Sequence, residues 1–101
     1  KSYSKMKNPQ TFTLSDNYPN PFNPSTKISY YTFINTFVNI NIIDVRGHHV
    51  TTLVSSDKPP GEYSVYWSGT DEYDQLVSAG IYFYNIAAGD YREVKKMILL
   101  K

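Results

Sequence analysis

Apolar and polar residues alternate along most of this chain with a period of two. From Lys27 onward, Ile28 and Tyr30 fall on one face and Ser29 and Tyr31 on the other, and the alternation returns where Val38, Ile40 and Ile42 interleave with Asn39 and Asn41. Successive side chains of a strand point to opposite sides of a sheet, so each run predicts a strand buried on one face. The second run stops at Asp44-Val45-Arg46-Gly47, where glycine can take positive φ. It resumes as His49-Val50-Thr51-Thr52-Leu53-Val54, the pattern of an antiparallel hairpin. Ser55 to Gly61 reads as a polar loop closed by Pro59-Pro60-Gly61. Beyond it Tyr63, Val65 and Trp67 alternate with Ser64, Tyr66 and Ser68, and Trp67 is the first choice for a core anchor. Gly69 to Gly80 reads as a long acidic connection, Ile81 to Ile86 as a strand, Ala88-Gly89-Asp90 as a turn, and Tyr91 to Lys101 as the last strand.

No window of a dozen residues carries helical spacing free of Gly, Pro or β-branched interruption, whereas turn signals recur about every ten residues. That rhythm predicts an all-β antiparallel sandwich or barrel of about seven strands. Ahead of the first clear strand lies Asn17-Tyr18-Pro19-Asn20-Pro21-Phe22-Asn23-Pro24-Ser25-Thr26. Its prolines fix φ and bias their predecessors toward extended geometry, its Asn and Ser can bond nearby backbone, and Tyr18 and Phe22 are large enough to pin it to a sandwich edge. The segment is expected to be ordered. Residues 1–10 are polar and basic without periodicity and read as a linker from an upstream domain, which leaves 11–101 as the folded unit.

Composition narrows the function. A chain of 101 residues with 41% hydrophobic residues, ten Tyr, five Phe and one Trp can bury one core without staples. It has no Cys, which excludes disulfides, thiolate metal sites and a cysteine nucleophile. Its net charge is +1, and Lys and Arg are scattered except near the two ends, so a nucleic-acid face has no support. No apolar run reaches the roughly 18–20 residues of a membrane span.

Candidate chemistry is sparse. His48 and His49 are adjacent on a predicted strand and point to opposite faces, which suits exposed hairpin residues better than a shared metal. Asp71, Glu72 and Asp74 place three carboxylates in one loop, a weak calcium option that lacks the twelve-residue loop pattern with its Gly and closing Glu. No phosphate loop, nucleophile elbow or catalytic pairing is present, and nothing calls for a cofactor. Tyr30, Tyr63, Tyr82 and Tyr84 sit at strand positions suited to packing rather than to a sugar platform. The ending Lys95, Lys96, Met97, Ile98, Leu99, Leu100 and Lys101 reads as a final edge strand, whose unpaired backbone a receptor could extend.

Several motifs occur together in order. They are Asn20, Pro21, Phe22, Asn23 and Pro24 within the proline segment, then Asp44-Val45 with Gly47, then Gly61, Val65 and Trp67, then Gly80-Ile81-Tyr82 and the Lys96–Lys101 ending. In this combination, from Leu14 to Lys101, the chain resembles the C-terminal sorting domains of type IX secretion, related to the immunoglobulin-like domain of the flagellar hook-capping protein. Tyr73-Asp74 stands where that family carries a turn-forming Asn-Gly, which removes the usual signal for a tight hairpin there. The resemblance implies an immunoglobulin-like sandwich and a non-enzymatic module that is recognised at the outer membrane. It also implies an upstream cargo in the same polypeptide, a sortase-like peptidase as a further partner, and an exported protein secreted or held at the cell surface. The basic, apolar tail Lys95–Lys101 is the part it associates with targeting. Two other functions stay open at this point: a self-assembling subunit of a filament or surface layer, joined by strand addition, and an accessory carbohydrate-binding module.

Overall fold

The computed structural model describes residues 11–100; the linker assigned to 1–10 and the terminal Lys101 lie outside them. Seven strands form: β1 (Phe12–Leu14), β2 (Thr26–Thr32), β3 (Thr36–Asp44), β4 (His49–Lys58), β5 (Gly61–Trp67), β6 (Gly80–Ala88) and β7 (Tyr91–Leu99). They build two antiparallel sheets, β1-β2-β5 and β4-β3-β6-β7, packed face to face. This is the immunoglobulin-like sandwich, with the fourth strand placed beside the third rather than in the sheet of β1, β2 and β5.

The period-two pattern sets the register. Ile28 and Tyr30 of β2, Val38, Ile40 and Ile42 of β3, Tyr84 and Ile86 of β6, and Met97 and Leu99 of β7 all point inward and are buried. A one-residue slip would turn every one of them to water, so the buried set and the pairing specify each other. Trp67 is 1% exposed and anchors the core, as its position in β5 predicts. Its indole Nε1–H donates to the Thr70 carbonyl at 2.8 Å, which satisfies the one polar group it buries. A second aromatic stack runs from Phe12 to Tyr30 at 5.5 Å and on to Tyr63 at 5.4 Å.

Several boundaries differ from the sequence reading: β1 forms where no strand was assigned, β5 opens at Gly61 of the expected loop, and β6 runs from Gly80 to Ala88, past the expected Ile81–Ile86 and into the expected turn. The polar stretch Ser55–Lys58 is strand, not loop: β4 continues to pair with β3 as far as Lys58 opposite Thr36. It lies at the sheet edge with Ser55, Ser56 and Asp57 exposed, so it has no apolar alternation to show. Two register shifts, between Ile40 and Asn41 and between Ile42 and Ile43, let the longer β4 follow β3. The last strand ends at Leu99 rather than at Lys101.

Turn chemistry explains the hairpin. The carboxylate Oδ1 of Asp44 accepts the N–H groups of Arg46 and His48, each at 2.9 Å, and Gly47 takes φ +86°. These amide bonds, led by that from His48, hold the Asp44 carboxyl below its ordinary range. Gly61 and Gly80 open β5 and β6.

Candidate functional site

The proline segment and the tail come together at one edge of the sandwich. Strand β7 is the outer strand of its sheet, and residues 16–22 run beside its C-terminal half. Phe22 and Leu99 form a parallel bridge in which the Phe22 N–H donates to the Ile98 carbonyl at 2.9 Å and the Leu100 N–H donates to the Phe22 carbonyl at 2.8 Å. Asn20 supplies two further bonds: Oδ1 accepts the Ile98 N–H at 3.0 Å, and Nδ2 donates to the Lys96 carbonyl at 3.3 Å. The segment therefore works as a short additional strand that clamps the tail.

Apolar burial anchors the clamp. Phe22 is 1% exposed and its ring lies 5.7 Å from that of Trp67, which also meets Tyr82 edge-on at 5.2 Å. A ring of this size buried in a closed core contributes several times the net value of a solvent-exposed hydrogen bond. Gly69 completes the wall. Its φ of +73° and the Leu99 Cδ2 atom 3.1 Å from where a Cβ would stand leave no comfortable place for a side chain. Upstream, the Asn17 Nδ2–H donates to Thr26 Oγ1 at 2.9 Å, and the Thr26 hydroxyl donates to the Pro19 carbonyl at 2.8 Å, so the segment is fixed at both ends.

Charges add to this edge. Lys95 Nζ pairs with Asp16 at 3.0 Å and with Glu93 at 3.2 Å. The bond to Asp16 is the main reason that the Lys95 ammonium holds its proton above its ordinary range. The Tyr91 hydroxyl donates to Glu93, and that bond is the main reason that the Glu93 carboxyl lies below its ordinary range. Burial pushes the Tyr84 phenol up to about 12, and its hydroxyl donates to the Ser15 carbonyl at 3.0 Å.

The seven tail residues divide by face. Met97 and Leu99 are core; Lys95 is half-buried in its ion pairs; Lys96, Ile98 and Leu100 face outward, with Leu100 57% exposed; Lys101 lies outside the described residues. The tail's outward surface is thus made by Lys96, Ile98 and Leu100, while Met97 and Leu99 hold the strand in place. Of the motif residues, Asn20 and Phe22 touch the tail; Pro21, Asn23 and Pro24 shape the segment.

The other candidates do not assemble into sites. Asp71 Oδ1 accepts the N–H groups of Tyr73 at 2.9 Å and Gln75 at 3.0 Å, and Asp74 takes φ +65°. The tight turn missing from the sequence signal forms all the same, because a short acidic side chain tolerates the left-handed region. Asp71, Glu72 and Asp74 do not converge: among the described residues no group of three His, Cys, Asp or Glu is placed to hold a metal ion. His48 lies 3.8 Å from Asp44, and the ring of His49 bonds Thr52 at 2.9 Å, so the two histidines take separate neighbours. Tyr63, Tyr82 and Tyr84 each donate their hydroxyl to a backbone carbonyl, and Tyr30 is buried between rings, as packing predicts. Tyr31, the one exposed tyrosine in ring contact among the described residues, meets Phe33 at a tilt of 47°, which is not a flat platform. Among the described residues no helix is long and apolar enough to cross a membrane.

Phe22 pins the proline segment to a sandwich edge as expected, but Tyr18, which is 78% exposed, does not, and the pairing of the segment with the tail was not read from the sequence. A large aromatic flanked by prolines, Pro21-Phe22-Asn23-Pro24, was the available signal, since such a ring must find a core.

Comparison with known proteins places this geometry. The sequence matches the secretion system C-terminal sorting domain family over residues 16–100, which takes in the clamp and the tail through Leu100. A comparison with curated proteins finds no match. Among solved structures, the chain is similar to dimeric latent PorU from Porphyromonas gingivalis, at 18% identity and a TM-score of 0.69, covering 89% of this chain and 9% of that one. It is also similar to FlgD from Xanthomonas campestris, described there in connection with hook capping in flagellar assembly, at 26% identity and a TM-score of 0.59, covering 87% of this chain and 66% of that one. FlgD from P. aeruginosa gives 17% identity and a TM-score of 0.58, with 88% and 66% covered. The chain thus spans about a tenth of PorU and about two thirds of each FlgD.

Proposed function

The chain belongs to the family of secretion system C-terminal sorting domains, and from that premise we propose that it is a non-catalytic sorting and attachment module carried by a larger protein and read by outer-membrane type IX secretion machinery. Export through the periplasm and outer membrane, to the cell surface or the medium, follows from that membership. The observation that carries the proposal is the clamp. A receptor that must recognise many unrelated cargoes needs a signal whose shape does not depend on them, and Asn20 and Phe22 fix the tail on a folded platform. Lys96, Ile98 and Leu100 then present one cation and two apolar side chains in fixed relative positions. A rigid display reduces the entropy lost on binding.

Upstream cargo in the same polypeptide, recognition by the translocation machinery and removal by a sortase-like peptidase complete the reading. Its test is a fusion of residues 1–101 to a periplasmic reporter in a host that has type IX secretion. The reporter is expected at the cell surface or in the medium, and retention of the intact fusion in the periplasm would overturn the proposal.

A further inference from the structure

The outward edge of β7 is filled along only half of its length. Ile98 turns both its N–H and its carbonyl away from β6, toward Asn20 and Phe22. Strand alternation without a register shift makes Lys96, Val94 and Arg92 do the same. The Lys96 carbonyl meets Asn20, but its N–H and both groups of Val94 and Arg92 take no partner among the described residues. Beside this stretch opens a cleft of about 530 Å³ between the 16–21 segment and Lys95 and Lys96. Asn17 Oδ1, in its wall, is buried without a hydrogen-bond partner. Unpaired strand edges template the addition of another strand.

Side chains decide which strand. On the outer face Arg92, Val94 and Lys96 are exposed in succession, two cations flanking one apolar residue. Arg92 Nη1 donates to the Gly89 and Tyr91 carbonyls, which leaves its charge unneutralised, and Lys96 has no ion pair among the described residues. The neighbouring strand adds no charge there: Ala87, Asn85 and Phe83 stand opposite Arg92, Val94 and Lys96. On the inner face Glu93 and Lys95 pair with each other, and Lys95 pairs with Asp16. A second copy is a poor occupant. Antiparallel self-pairing about Val94 sets Arg92 opposite Lys96 twice, and parallel pairing in register sets each cation opposite itself; both repel.

We propose that β7 from Arg92 to Lys96 is a docking edge for an extended segment of another protein, one that carries two acidic side chains four residues apart with an apolar residue midway between them on the same face. The segment's backbone completes the edge, its carboxylates meet Arg92 and Lys96, and its end enters the cleft, where a donor reaches Asn17 Oδ1. The inference rests on the sorting reading only in assigning that protein to the secretion machinery.

The probe is the capped peptide Thr-Glu-Thr-Val-Thr-Glu-Thr, titrated into the isotope-labelled chain and followed by amide NMR shifts, beside a peptide with Lys in place of both Glu. Saturable shifts are expected at Arg92–Lys96 and along the cleft, with the Lys peptide about tenfold weaker or worse. Val94→Pro deletes an outward N–H without breaking a bond to β6 and is expected to abolish binding. The double variant Arg92→Glu with Lys96→Glu, which alters only exposed side chains, is expected to reverse the peptide preference. Absence of shifts at millimolar peptide, equal affinity for both peptides, shifts confined to other strands, or dimerisation of the chain through Arg92–Lys96 would overturn the proposal. A failed titration removes the docking edge and leaves the sorting reading intact, whereas periplasmic retention of the intact fusion removes that reading and leaves the titration standing.

Discussion

Replacing Phe22 by Ala tests whether the aromatic ring, rather than the amide bonds around it, holds the tail in place. The ring is 1% exposed and packs on Trp67 at 5.7 Å, so truncation removes a full aromatic burial and leaves a cavity beneath the clamp. Phe→Ala changes at such sites cost about 3–5 kcal/mol. Asn20→Ala removes the two bonds to Ile98 and Lys96, both on the exposed side, where water replaces them. That change is expected to cost only about 1 kcal/mol. A domain of this size has a total stability of about 5–15 kcal/mol, so the Phe22 variant should be visibly crippled and the Asn20 variant not. Urea unfolding reads the difference: at a slope of about 2 kcal/mol per molar, Phe22→Ala lowers the midpoint by roughly 2 M. Should that variant fail to fold, Phe22→Leu, which keeps most of the apolar volume, is expected to lose roughly 1 kcal/mol. Hydrogen exchange of the Leu100 amide, whose acceptor is the Phe22 carbonyl, should quicken in step. Equal losses for Phe22→Ala and Asn20→Ala, or a loss below about 1.5 kcal/mol with unchanged Leu100 exchange, would refute the reasoning.

Three other changes follow from the same geometry. Gly69→Ala must place a methyl 3.1 Å from Leu99 Cδ2 at a φ of +73°, and thermal unfolding should show a loss of about 1–2 kcal/mol. Asp74→Gly relieves a left-handed φ of +65° and should leave stability unchanged or raise it by up to about 1 kcal/mol in the same assay. Alkaline pH should destabilise the fold. The unfolded chain loses the Tyr84 proton near 10 while the folded chain keeps it to about 12, so the folded state binds more protons and stability falls as pH rises through that window. Tyr84→Phe removes the Tyr84 contribution to that fall, and urea midpoints at pH 9 and pH 11 measure it.

How far the chain could be read in advance follows from where its contacts lie. β2, β3, β5 and β6 were legible because each has one face in water and one in the core, so Ile28 and Tyr30, or Val38, Ile40 and Ile42, announce themselves by alternation. Trp67 was legible for the same reason. The far half of β4 was not, since an edge strand carrying Ser55, Ser56 and Asp57 on exposed positions has no such pattern. Its place beside β3 also rests on two bulges that no local sequence signal marks. Beyond the Phe22 ring, the clamp depends on backbone bonds and on the Asn20 side chain, which reaches across 76 and 78 positions of sequence to Lys96 and Ile98. The tail was named as one unit, although Met97 and Leu99 against Lys96 and Ile98 already carry the alternation that separates packing from display. At Asp74 the turn survived the loss of its usual residues because Asp71 bonds the loop from within.

That separation also defines the most direct test of the central claim. Deleting the tail would remove Met97 and Leu99 from the core and would confound sorting with folding. The informative variant in the reporter fusion is Lys96→Glu with Leu100→Asp, which changes only outward side chains, scored by the fraction of reporter at the cell surface and in the medium. The account expects the unaltered fusion to be exported and the folded variant to stay in the periplasm. Export of the variant at the level of the unaltered fusion would contradict it.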